Sequence, residues 1–342
     1  MGHRNHSAPR RGSLAFYPRV RARSLEARIR TWPVSENSEQ ATLLGFAGFK
    51  AGQIQIMTVD DREKTPNHGK NLMNASTVIS TPPITIIGIR CYKRDEYGKK
   101  SIGDIYAKDL PKDLGRKFNT KNSNTNFEKI ESNLDSVFSI FAIAAVFPKQ
   151  ANLSQKSPFV YEIGVSGKDI KSKYDYLKNL LGKEIRISDI FKNGQFVDVS
   201  GITRGKGIEG PITRFGVKRK QHKSRKSVRA VGTLGPISPA VVMYSVARQG
   251  QRGFHQRTEY NKRILIMSNT DNNTSDNTNK ISSNVDKINP SGGFKHFGIV
   301  NGDYIVVRGS IPGVPKRLVK LRHAIRSPSK KINEPKIIEV IL

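Results

Sequence analysis

From Gly210 to Thr258 the chain runs for 49 residues without one Asp or Glu, and eleven of those residues are Lys or Arg. Like charges without internal counter-charge repel one another, so such a segment cannot be the core of anything. It becomes ordered against a dense external anion, and a nucleic-acid backbone is the commonest anion of that kind in a cell. Reach is a second constraint. An extended residue advances at most ~3.3–3.6 Å, so a strand pair built from this window could extend roughly 80 Å. No hydrophobic core follows a chain that far.

The charge is unevenly placed. Residues 1–30 carry a net +7, residues 204–263 a net +13 and residues 308–331 a net +8, together +28 of the formal +31. The remaining two thirds of the chain is close to neutral, as an ordinary folded domain is. Three acid-poor basic segments around a neutral remainder indicate nucleic-acid contact rather than a merely solvated face.

Other classes are poorly served. The single Cys91 leaves no disulfide framework and no multi-cysteine zinc site. The seven histidines are scattered, with no carboxylate at metal-ligand spacing, so neither metal nor cofactor is expected. The N-terminus has no apolar signal core, and Pro9, Gly12 and Pro18 break any amphipathic transit helix. The longest apolar run, Val137–Phe147, is far shorter than the ~20 residues of a membrane span and reads as a buried strand. Partners in a membrane, or a small-molecule substrate, are not expected.

The texture along the chain predicts a mainly β protein with an α+β insertion. Residues 1–42 form a basic N-terminal arm, with Trp32 expected to anchor its end. Period-two, β-branched sequence over 43–95 predicts the first part of a β domain. Residues 96–195 form the insertion; within it Asp169–Gly182 has Ile170, Tyr174, Leu177 and Leu181 at helical spacing and Gly182 as a C-cap. Residues 196–342 complete the β domain, with a finger over about 204–262 and a flexible Asn/Ser-rich loop over 268–291. Gly232, Gly235, Pro236 and Pro239 place a reversal in the middle of the finger.

Gly201–Gly207 (GITRGKG) invites comparison with a P-loop. It has one residue too few between its glycines and no Ser or Thr after Lys206, so a turn that approaches polynucleotide phosphates is the better reading. Asp60-Asp61 and Asp109/Asp113 lack a histidine partner and read as solvated acids. No nucleophile elbow or HExxH motif occurs, so nothing argues for an enzyme. Aromatics in the finger's acid-free window are few, Phe215, Tyr244 and Phe254, which favours phosphate contact over base stacking. Arginine-rich sequence carrying Gly, Gln and His suits the crevices of folded RNA better than a regular duplex groove. Candidate RNA-binding residues are Arg4, Arg10, Arg11, Arg19 and Arg21 in the arm. In the finger they are Arg204, Lys206, Arg214, Lys218, Arg219, Lys220, Lys223, Arg225, Lys226, Arg229, Arg248, Gln251, Arg252, His255 and Arg257. Lys316, Arg317 and Arg322 complete the set.

Several runs then resemble one family in collinear order. They are Gly2-His3-Arg4, Ala8-Pro9-Arg10 and Gly12-Ser13-Leu14, then Phe49-Lys50-Ala51-Gly52, Thr81-Pro82-Pro83 and Gly201–Gly207. Ser245–Thr258 (SVARQGQRGFHQRT), Gly292-Gly293-Phe294 and Gly309–Gly313 with Lys316-Arg317 follow. Together they resemble the large-subunit ribosomal protein three family in its archaeal and eukaryotic form. The resemblance implies a cytoplasmic, ribosome-bound structural protein that binds large-subunit rRNA early in assembly. It implies a six-stranded β-barrel of the translation-protein type, with an inserted α+β region, a long N-terminal arm and a central finger. The tip, Gly235, Pro236, Ile237 and Pro239, would lie near the peptidyl-transferase centre, and the neighbours would include universal protein fourteen and the archaeal/eukaryotic protein twenty-four. Ile237 departs from the family, whose eukaryotic members commonly carry Trp there. An RNA-modifying enzyme and a DNA-compacting chromatin protein are the competing readings.

Overall fold

The structure, a computed structural model, describes residues 9–33, 40–117, 127–132, 134–268, 288–328 and 333–342. Strands dominate. β1 (Thr42–Leu43), β2 (Gly45–Val59), β3 (Asn71–Ser80), β4 (Ile84–Asp95) and β5 (Gly98–Tyr106) are followed by β6 (Ser139–Val146), β7 (Phe159–Ser166) and β8 (Glu184–Ile185). β9 (Phe196–Ile202), β10 (Ile208–Glu209), β11 (Gly250–Gln251) and β12 (Gln256–Ser268) come next, and β13 (Tyr304–Arg308), β14 (Leu318–His323) and β15 (Ile337–Ile341) close the chain. The α-helices are short: α1 (Glu128–Glu131), α2 (Ile170–Leu180) and α3 (Pro211–Phe215). The protein is mainly β.

Two compact units divide the chain. A basic unit takes Met1–Leu25 and Ile202–Gln256, and a body takes Glu26–Gly201 and Arg257–Leu342. The body holds two antiparallel sheets. In the first the order is β14-β9-β12-β13-β3-β2-β15, and β14 pairs β2 as well, so six of its strands are hydrogen-bonded in a closed cycle. β2 makes this possible by its length. Its Gly45–Phe49 half pairs β14, and its Gln55–Thr58 half pairs β15. A bulge between Lys50 and Gly52 separates the two halves, bending the strand so that one edge serves two neighbours.

The second sheet has the order β1-β7-β6-β4-β5, with β8 on β4. The changeover between sheets therefore lies at Pro82-Pro83, between β3 and β4, and not at residue 96 as the texture predicts. Neither proline has an amide N–H to continue a ladder, and residue 96 is the turn of the β4–β5 hairpin. The apolar run at 137–147 supplies β6, whose Ala142, Ala144, Ala145 and Val146 are buried. It sits between β7 and β4, which explains a continuous rather than alternating pattern. α2 buries Tyr174 and Leu177 and is capped at Leu181. Gly182, expected as the cap, stands one residue later with φ +78°, where a left-handed glycine ends a helix, and its N–H donates to the Ile86 carbonyl at 2.8 Å.

Trp32 joins the two sheets. A Cβ at Gly45 of β2 would meet its ring at 2.6 Å, and one at Gly164 of β7 would do the same at 2.6 Å. Both glycines are seats for the indole.

Asp198 and Arg322 fix the closed cycle. They are register partners on β9 and β14. Asp198, with no exposed surface, accepts from Arg322 Nε and Nη2 at 3.1 Å each, from the Asn261 amide at 3.0 Å and from the Ile325 amide at 3.3 Å. The remaining Arg322 nitrogen, Nη1, donates to the Thr31 carbonyl. Arg322 is thus a buried internal partner and not the phosphate ligand expected of it. Asp60 and Asp61 are likewise not solvated. Arg62 grips the buried Asp60 carboxylate at 2.8 and 2.7 Å, holding it well below the usual carboxylate range. Arg263 of β12 grips Asp61 at 2.7 and 2.5 Å and lowers it also.

Replacing Asp198 with Ala leaves Arg322 buried without its partner, and a loss of about 3–5 kcal/mol is expected from chemical denaturation. Asp109→Ala on the surface should change stability by under about 0.5 kcal/mol. The imidazole of His323, against Phe191 at 4.7 Å and hydrogen-bonded to Gln195 at 2.6 Å, is held down at about 4 by burial. The unfolded chain takes up this proton near pH 6.5 and the folded protein does not until about 4. Stability should therefore fall as pH drops through that window, and His323→Asn should flatten the slope there.

Candidate nucleic-acid interface

The basic unit is ordered by its two crossing strands and by its own arginines. At its base, residues 203–209 run antiparallel to 250–255. Thr203 N–H donates to His255 O at 3.0 Å, Lys206 N–H to Arg252 O at 3.0 Å and Arg252 N–H to Gly207 O at 2.8 Å, while β10 pairs β11. Gly253 has φ +70°, and a Cβ there would sit 2.0 Å from the Arg204 carbonyl, so only glycine fits. Glu209, the acid at the edge of the acid-free window, is taken by Arg252 at 2.6 Å.

Arm and finger are one unit. Ala22 N–H donates to Phe254 O at 2.8 Å, His255 Nδ1 contacts Val20 O at 2.8 Å, and Arg10 donates to Ser245 O at 3.1 Å. Between them lies a small cluster of arginine and aromatic rings. Arg19 stands 4.3 Å from the Phe215 ring and 5.4 Å from Tyr17. Tyr17 meets Tyr244 edge-on at 5.6 Å and Phe215 at 6.4 Å. Arg214 is the centre. Its guanidinium donates to the carbonyls of Gln251 (3.0 Å), Arg248 (3.2 Å) and Arg19 (3.2 Å), stitching finger to arm. Burial first, then the nearby Arg19 charge, lower its pKa. A cation cluster takes the place of an apolar core.

The expected ligands therefore divide. Arg214, Gln251, Arg252 and His255 are spent on internal carbonyls and on Glu209, and Gln251 turns its amide to the Arg252 and Gly253 carbonyls. Their role is to brace the unit. Arg10, Arg11, Arg21, Arg204, Lys206, Lys218, Arg219, Lys223, Arg225, Lys226, Arg229 and Arg248 are exposed, as is Lys316 of the body. Arg19, Lys220, Arg257 and Arg317 are half-buried, and burial lowers the Arg317 pKa. Arg4 lies outside the described residues, as do residues 269–287 of the loop expected at 268–291. In the body, buried Lys50 donates to Ile311 O at 2.7 Å and Gly313 O at 3.1 Å, and the Lys316 N–H donates to Lys50 O at 2.8 Å. The glycine-rich turn that carries Lys316 is thereby fixed.

Residues 216–249 contain neither helix nor strand, and Gly235, Pro236, Ile237 and Pro239 are exposed, Ile237 at 96%. Sequence reasoning placed the cations but missed the coupling of arm to finger. Its only signal was Tyr17, an aromatic within an arginine-rich run. Among the described residues no three His, Cys, Asp or Glu are grouped to hold a metal, and no helix is long and apolar enough to cross a membrane. Cys91 is buried and its thiol is pushed up to about 12, which suits packing and not reactivity.

A mainly β body and a basic unit with a single carboxylate, braced by its own arginines, place the chain in the class of strongly basic, mainly β proteins. The comparisons give the particular family. The profile described as Ribosomal protein L3 matches residues 1–341, and the chain belongs to that family. Similar relatives include the "Large ribosomal subunit protein uL3" of Methanococcoides burtonii, 42% identical over 99% of this chain and 97% of the relative. That of Caldivirga maquilingensis is 45% identical over 94% of this chain and 91% of its own length. That of Methanocaldococcus jannaschii is 40% identical over 97% and 96%. The family is one of structural ribosomal proteins, not enzymes.

Replacing Lys218, Arg219 and Lys220 together with Ala should weaken RNA binding and reduce the slope of log affinity against log salt by about 2–3, at ~0.7–0.9 per lost phosphate contact. Filter binding across a salt series measures this. An unchanged slope would place the run against solvent.

Proposed function

We propose that this chain is a structural constituent of the large ribosomal subunit that binds large-subunit rRNA directly and early in assembly. The carrying observation is the basic unit: twelve of its expected cationic ligands are exposed, and its one neighbouring acid is already paired. Such a surface needs a polyanion to neutralise it. Membership in a ribosomal protein family supports reading that polyanion as rRNA, and the relatives' printed name supports the large subunit.

The finer architecture follows the same reading. The closed six-strand cycle is the translation-protein-type barrel, the second sheet with α2 is the α+β insertion, and residues 1–42 and 204–262 are the arm and finger. The finger carries Gly235, Pro236, Ile237 and Pro239 toward the peptidyl-transferase centre, with the apolar Ile237 as a wedge. Universal protein fourteen and the archaeal/eukaryotic protein twenty-four are its protein neighbours on the cytoplasmic ribosome.

The test is co-sedimentation of tagged chain with large subunits through a high-salt wash, beside a chain lacking Gly232–Pro239. The intact chain should stay with the subunit. The deleted octet contains no Lys or Arg, so the shortened chain should also assemble, with rRNA affinity within a few fold, but those subunits should be slow in peptidyl transfer or tRNA accommodation. Normal translation by them would reduce the finger to an assembly anchor. Release of the intact chain by the wash, or equal competition by duplex DNA, would overturn the rRNA reading.

A further inference from the structure

The far end of the β4–β5 hairpin carries a charge arrangement found in no other strand register among the described residues of the body: two like-charge pairs in succession. Lys93 lies directly opposite Lys100, and Arg94 directly opposite Lys99. Like charges facing each other across a ladder destabilise it. Two such pairs in succession occupy both faces of the ribbon, since neighbouring residues point to opposite sides. All four side chains are exposed, and among the described residues none forms an ion pair. The turn acids form no ion pair with them among the described residues; the Asp95 carboxylate accepts from the Glu96 backbone at 2.9 Å.

An aromatic ring stands between two of these cations. Phe138 is 48% exposed, with Arg94 at 5.5 Å and Lys99 at 5.6 Å from its centroid. Its amide donates to the Tyr92 carbonyl at 2.8 Å, which fixes the ring beside the ribbon. Tyr97 at the turn is 98% exposed. Cations over a half-exposed aromatic ring can hold an unpaired nucleotide, the base stacking on the ring as the cations move out to the adjoining phosphates. A protein partner would need a broader apolar surface than one ring and a turn tyrosine.

We propose that the end of the β4–β5 hairpin, with Phe138 beside it, is a second RNA-docking surface that grips an unpaired nucleotide by stacking. It is separate in sequence from the basic segments and differs from them in mode. The inference rests on the RNA-bound reading above. The competing explanation is local. β5 is an edge strand, and lysines on an edge deter pairing with other chains.

The test uses the full chain with a uridine dodecamer and, in parallel, a blunt RNA duplex. Ultraviolet cross-linking followed by peptide mass spectrometry should attach the single strand, not the duplex, to peptides holding Tyr97 or Phe138. Arg94→Ala/Lys99→Ala and, separately, Phe138→Leu should each cut that adduct about tenfold while adducts within 202–256 persist. The Leu variant keeps an apolar side chain, so its loss would report stacking and not misfolding. Adducts on the basic unit alone, or hairpin adducts unchanged in both variants, would overturn the proposal. So would hairpin adducts absent in the parent chain together with aggregation of the alanine variant, the mark of an edge guard. No adduct anywhere on the chain would remove the RNA-bound reading, and this inference with it.

Discussion

The closed cycle of the first sheet depends on one buried charge pair. β9 and β14 are joined through backbone registry, but the Asp198 carboxylate also receives amides from Asn261 on β12 and Ile325 beyond β14. Asn261 has φ +54°, so its backbone bends to point its N–H at the carboxylate. A buried charge is expensive unless every lone pair is engaged. Asp198 receives four donors, three on Oδ2 and the Asn261 amide on Oδ1, and Arg322 spends its last nitrogen on Thr31. The interaction ties three strands together, β9 and β14 through the charge pair and β12 through the Asn261 amide.

Body and basic unit manage charge in opposite ways. In the body several charges on the ladders have ionic partners, as Arg90 does between Asp104 and Glu162 at 2.5 and 2.6 Å. Arg10, Arg19 and Arg214 of the basic unit turn instead onto carbonyl oxygens and aromatic faces, which are neutral acceptors. Order is achieved, but the net charge is left in place. The unit therefore keeps its full electrostatic attraction for a polyanion, and that attraction is screened by salt.

Much of this was legible in the sequence, for physical reasons. α2 has its apolar residues at helical spacing, β6 comes from the longest apolar run of the chain, and the acid-free window is a matter of counting. The sheet changeover at Pro82-Pro83 was not legible, because the residues on both sides are equally strand-like and only pairing partners distinguish them. Asp60, Asp61 and Arg322 were misread for a related reason. A charged residue next to polar neighbours looks solvated until a partner such as Arg263, 202 positions from Asp61, is brought beside it. The division of the finger's cations into bracing and exposed ones likewise turns on carbonyl positions that no spacing encodes.

Closure of the first sheet also sets an order of events during synthesis. β2 is among the first strands to be made, yet its Gly45–Phe49 edge waits for Leu318–Arg322, and its other half waits for Ile337–Ile341. Until the C-terminal residues arrive, that edge is an open template for wrong partners. The indole of Trp32 can find Gly45 early but finds Gly164 only after β7 has emerged. A nascent chain of this design holds an unfinished sheet for nearly its whole translation: a ribosomal pause before residue 318 would prolong the exposure of both halves of β2, and a pause between 323 and 337 that of the Gln55–Thr58 half alone.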